Sequence, residues 1–208
     1  MAEGDERGER IMKFGICNEL FQDWEIERVF EYAASLGYHG VEIAPFTLAD
    51  DCRTITAERR NDMRAAAEGC GIEILGLHWL LIKPDGLHIN TPDASVRDAT
   101  EEYLKALMEF CGDLGGRVCV LGSPKQRNLE PSQRIADVWK RACEMLRRVG
   151  EVAASRDVVL AFEPLDAGQT NFVNTMREGQ MLVQEVASPG VGLHLDTIAM
   201  SAQGRPVA

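Results

Sequence analysis

The sequence predicts an α/β protein whose parallel strands alternate with helices around one core, and three observations carry that expectation. Short apolar runs rich in Val, Ile and Leu begin near residues 13, 40, 73, 117, 158 and 191, spaced 27 to 44 residues apart. Between them apolar residues recur at helical spacing, and glycines such as Gly37 and Gly71 close the helices. A chain of 208 residues with 45% hydrophobic content is also long enough to bury the core of one domain. Two architectures fit the rhythm: an open doubly wound sheet and a (β/α)8 barrel, which takes about 250 residues. No GxGxxG follows the first strand, so the dinucleotide fingerprint is missing.

Taken in order, Lys13–Cys17 reads as the first strand, and Ile26, Val29, Phe30, Ala33 and Leu36 mark the helix after it. Gly40–Ala44 is the second strand, ended by Pro45, and a helix opens at Thr56 or Ala57 and carries Met63, Ala66, Ala67 and Cys70. Glu73–His78 is the third, followed by a long loop through Pro84 and Pro92 and a helix ending near Gly115-Gly116. Arg117–Gly122 is the fourth strand, and Pro131 to Ser155 holds a helix with Ile135, Val138, Trp139, Ala142 and Leu146 on one face. Val158–Phe162 has the branched, apolar look of a strand buried on both faces, stopped by Glu163-Pro164. A helix from Thr175 to Ala187 leads to the sixth strand, Val191–Asp196.

Composition narrows the partners. A formal charge of −11 argues against a phosphate-backbone binder, which carries a basic face, so small molecules are expected and nucleic acid is not. Six cysteines without CxxC spacing read as small buried hydrophobes in a reducing compartment. The charged N-terminus has no apolar signal core and no run is long enough to span a bilayer, so a cytoplasmic protein with no membrane partner is the expectation. Residues 1–11 read as a disordered extension and 12–208 as the domain.

In either architecture the site lies at the carboxyl ends of the strands. Asn18 and Glu19, Glu42, His78 and Trp79, Ser123 and Lys125, Glu163, and His194 with Asp196 stand at those six ends. Period-two alternation groups Glu163 with Ala161 and Val159, and Asp196 with His194 and Gly192, leaving Phe162, Leu193 and Leu195 for the opposite side. Carboxylates and histidines converging from different strands suit a divalent cation such as manganese, zinc or magnesium. Asp196 also reads as a loop or helix-capping acid, and Glu42 as an acid paired with a neighbouring cation. His78 and His194 are placed at the pocket wall, Lys125 at its mouth, and His39 and His88 receive no role.

Three stretches resemble the xylose isomerase-like barrels, which include sugar-phosphate isomerases and epimerases, D-tagatose 3-epimerase-like enzymes and the related endonuclease IV enzymes. They are Gly37-Tyr38-His39-Gly40-Val41-Glu42-Ile43; Phe162-Glu163-Pro164-Leu165 with Thr170–Thr175 downstream; and Gly192-Leu193-His194-Leu195-Asp196-Thr197. The resemblance runs from about Met12 to the end and implies a fold of the (β/α)8 TIM-barrel type, of which about six βα units are present. It implies a metal held by a strand-five Glu, a strand-six Asp, a strand-seven His and a strand-eight Glu, and Glu163 and Asp196 match the first two. It implies as well that Glu163 serves as catalytic acid/base; Glu42, His78, Lys125 and His194 are placed toward substrate by their own strand-end and loop positions. Asp166-Ala167-Gly168-Gln169 departs from the Asn, Arg and Glu usual after the strand-five motif, and Thr197 stands where a substrate-touching His is usual.

The expected function is therefore a sugar or sugar-phosphate isomerase or epimerase, working through a divalent metal and an enediolate. Because the last two strands are missing from the chain, the metal is expected to be held weakly or not at all. Truncation is the reading adopted, and completion by a homo-oligomer or another chain is the alternative. A non-catalytic sugar-binding fragment is the competing function. An abasic-site nuclease, which wants more than four histidines and a cationic face, ranks below both.

Overall fold

In the computed structural model, which describes residues 12–201, each apolar run becomes a strand. They are β1 (Gly15–Cys17), β2 (Gly40–Ile43), β3 (Glu73–Leu77), β4 (Val118–Leu121), β5 (Val159–Phe162) and β6 (Val191–Leu193). The helices are α1 (Ile26–Ser35), α2 (Ala57–Gly69), α3 (Ala94–Asp113), α4 (Ile135–Ser155), α5 (Met176–Val186) and a short α6 (Thr197–Ser201). The extension expected at 1–11 lies outside the described residues. No helix among the described residues is long and apolar enough to cross a membrane.

All five neighbouring pairs are parallel, in the order β1-β2-β3-β4-β5-β6. A doubly wound sheet reverses its order at a switch point, whereas a barrel adds each strand beside its predecessor. The uninterrupted order therefore decides between the two architectures for the barrel type. β1 and β6 are the sheet edges among the described residues.

The helices cover one face. Phe30, Val41, Ile43, Leu104, Leu107, Val149, Leu160 and Phe162 have no exposed surface and belong to one cluster. Thr56 caps α2 by accepting the Arg59 amide, and Thr175 with Glu178 forms a capping box on α5. Cys52, Cys111, Cys119 and Cys143 are buried, Cys17 and Cys70 partly so, and all six are free.

The strands are shorter than the sequence reading at several ends, and α6 is unforeseen. β6 stops at Leu193, so Leu195, expected to point away from the acids, is instead 45% exposed. Ile135 sits in the first turn of α4, at the helix end, and is exposed rather than on the buried face.

A bulge interrupts the β2–β3 ladder: Val41 pairs with Ile74, but Glu42 pairs with Gly76. Leu75 is the extra residue. Ile74 and Leu77 consequently both face the helix-side core, where strict alternation would have put one of them on the other face. The register shift turns His78 inward. Gly76 is needed there because a Cβ would run into the Val118 carbonyl of β4.

Candidate active site

Glu163 directly follows β5, and its amide donates to Leu121 O at 3.2 Å, extending the ladder with β4. On the other side, His194 N donates to Phe162 O at 2.9 Å, one residue beyond β6. These two bonds carry Glu163 and His194 past the strand ends side by side, with Nε2 3.9 Å from Oε1. Asp196 completes the group: donor atoms of Glu163, His194 and Asp196 all lie within 4.8 Å of one another. Asp196 also caps α6, its Oδ1 accepting the Ala199 amide at 2.7 Å, in keeping with its reading as a helix-capping acid.

Two neighbours shape the surroundings of Glu163. Gly122 lies against it, and a Cβ there would collide with Oε2. Arg127 is buried beneath, donating through Nη1 to the Glu163 carbonyl at 2.7 Å and through Nη2 to Val173 O at 3.4 Å, with its guanidinium 5.0 Å from the centre of the Phe162 ring. Burial lowers the Arg127 pKa to about 10, partly countered by Glu163. Burial likewise raises the Glu163 pKa above the ordinary carboxylate range; His194 opposes the rise and Asp196 adds to it.

The opposite wall comes from β1 to β3. His78 Nε2 makes a 2.7 Å hydrogen bond with Glu19 Oε2, and its Nδ1 faces Glu42 Oε2 at 3.4 Å without forming one. Cys17 Sγ donates to the same Glu42 oxygen at 3.5 Å. Burial, then the Glu42 and Glu19 charges, push the Cys17 thiol up to about 12. Asn18 is structural, accepting the Ala44 amide at 2.8 Å and donating to Thr47 Oγ1 at 2.7 Å.

Between the walls lies a cavity of about 310 Å3 lined by Glu42, His78, Glu163, His194 and Asp196. Trp79, Leu165 and Ile198 add apolar surface and Ser123 and Gln169 polar groups. A second cavity of about 630 Å3 adjoins it through Glu42, Val120 and His194 and runs down the concave sheet face toward Glu73 and Arg117. The polar groups converge in the first. Trp79 (φ 54°) and Ser123 (φ 40°) on its lining, and Val173 (φ 59°) over Arg127, hold left-handed backbone conformations that side chains rarely adopt.

Of the residues singled out from the sequence, Glu163, Asp196, His194, Glu42 and His78 are brought to this one cavity, whereas Lys125 is exposed on the turn Pro124–Gln126 and does not line it. His194, read as a substrate contact, stands within the Glu163–Asp196 donor set. Sequence reasoning missed Arg127, Gln169 and Ile198. Arg127 looks like a loop cation in Gln126-Arg127-Asn128, and its burial comes from the folding of the 170–175 loop across it. Two carboxylates and an imidazole, partly buried and mutually close, are a donor set that fits a divalent cation.

Residues 30–208 match the family described as xylose isomerase-like TIM barrel. An L-ribulose 3-epimerase of Mesorhizobium japonicum is 28% identical over 182 residues, covering 86% of this chain and 57% of that protein. A probable ketose 3-epimerase of Synechocystis sp. is 28% identical over 206 residues, covering 94% and 66% respectively. Among solved structures, D-psicose 3-epimerase with D-tagatose from Clostridium cellulolyticum H10 superposes with a TM-score of 0.75 at 24% identity, over 94% of this chain and 67% of that one. The chain thus spans 57% and 66% of the length of these two curated relatives.

Proposed function

Because the chain belongs to the xylose isomerase-like TIM barrel family, we propose that its strand-end cavity belongs to a ketose epimerase or isomerase in which Glu163 moves a proton at the carbon beside the carbonyl. The observation that carries this reading is the meeting of Glu163, His194 and Asp196 in one donor set on a cavity of sugar size. The curated relatives are named as ketose 3-epimerases, which makes a free ketose the substrate class proposed.

Glu163, Asp196 and His194 would hold the divalent cation, which when bound supplies an electrophile that polarises a carbonyl and lowers the acidity barrier at the adjacent carbon. The chain's own residues do the rest. Glu163 takes up the proton, and Arg127 holds its backbone carbonyl in place. Glu42 meets substrate hydroxyls on the other wall, while Trp79, Leu165 and Ile198 give the cavity apolar surface. Returned to the same carbon from the opposite face, the proton yields an epimer; returned to the neighbouring carbon, an isomer.

The test is to incubate the chain with Mn2+ and a panel of free ketoses and resolve the products by chromatography. A C3 epimer formed by wild type, with at least 100-fold less from Glu163→Gln, is the expected outcome. Unchanged ketose throughout the panel overturns the reading.

A further inference from the structure

On the β1–β3 wall, away from Glu163, a second group of metal-ligating side chains converges: donor atoms of Cys17, Glu19 and His78 all lie within 4.8 Å of one another. The three come from the ends of two strands that do not touch, β1 and β3, with β2 between them. The bulge at Gly76 swings His78 into place, and a 3-10 turn beginning at Asn18 brings Glu19 back over Cys17. Among the described residues neither Glu19 nor Glu42 has a Lys or Arg partner, so two carboxylates and a thiol crowd a single imidazole.

We propose that Cys17, Glu19 and His78 form a second cation site, selective for zinc-like ions, with Glu42 as the carboxylate that orients the histidine. Sulfur, nitrogen and oxygen donors together favour zinc or cobalt over magnesium or calcium. His78 faces Glu19 through Nε2 and Glu42 through Nδ1, the arrangement in which one imidazole nitrogen binds metal and the other is held by a carboxylate. His78 is a buried residue, and its Nδ1, which faces Glu42, has no hydrogen bond in a place where a partner is normally required. An ion bound there displaces the Cys17 thiol proton to solvent and leaves the remaining imidazole proton on Nδ1, facing Glu42. The site stands whether or not Glu163 moves a proton.

The probe is Co2+ alone, titrated into chelator-treated full chain and followed by absorption. A thiolate ligand gives a near-ultraviolet sulfur-to-cobalt charge-transfer band, which the sulfur-free Glu163–His194–Asp196 set does not produce. The expected result is a saturable band that persists in Glu163→Gln and disappears in Cys17→Ser. Excess Zn2+ bleaches it and excess Mg2+ does not. Circular dichroism of Cys17→Ser guards against loss of fold, and His78→Gln, which keeps the sulfur, weakens the apparent Co2+ affinity at least tenfold. No charge-transfer band at saturating Co2+, or an undiminished band in a folded Cys17→Ser, overturns the proposal.

Discussion

Glu163 combines a short tether to the sheet with a costly environment for its charge. Its backbone is fixed by Leu121 O and by Arg127, while the carboxylate sits where burial raises its pKa. A raised carboxylate pKa means that the folded chain binds the proton more tightly than the unfolded one. Stability from this group is therefore full below the ordinary Glu pKa of about 4.3 and falls as pH rises through the folded value. Glu163→Gln is expected to melt higher than wild type at pH 7 without metal, with the gap closing below about pH 4. Calorimetry at both pH values checks this, and a variant less stable than wild type at pH 7 would mean that the carboxylate is a net stabiliser. The place of Glu163 at a strand end on the cavity was legible in the sequence because an acid ending an apolar strand is conspicuous. Arg127 was not, because nothing local distinguishes a buried loop arginine from a solvated one.

At the scale of elements, the decisive feature is the β2–β3 bulge. Alternation read along Glu73–His78 assumes an unbroken ladder, and here the ladder slips by one residue at Leu75, so that Leu77 packs into the core and His78 reaches the cavity. The slip depends on backbone contact between Gly76 and Val118, a long-range fact that a period-two pattern does not encode. Gly76→Ala is expected to destabilise the chain by about 3 kcal/mol or more, since the intruding atom meets backbone and not a flexible side chain. Urea unfolding measures it, and a cost below about 1 kcal/mol would show that the sheet accommodates the methyl group. The helices and most strands were legible, because their apolar periodicity and glycine stops are local. The early end of β6 and the short α6 were not, although the capping role of Asp196 was, its Oδ1 accepting the Ala199 amide.

At the scale of the molecule, strand order turns scattered polar residues into a site. Glu42, His78, Glu163 and His194 are separated by up to about 150 residues in sequence, yet sequential parallel pairing brings their strand ends around one cavity. The sequence left open a doubly wound sheet, since both architectures alternate strand and helix and differ in pairing order alone. The central claim is proton transfer by Glu163, and exchange in D2O tests it most directly. The chain loaded with Mn2+ is incubated with a ketose, and deuterium at the carbon beside the carbonyl is followed by NMR for wild type and Glu163→Gln. The account predicts exchange by wild type and at least 100-fold slower exchange by the variant, with fold intact by circular dichroism. Equal exchange rates in the two proteins would contradict it.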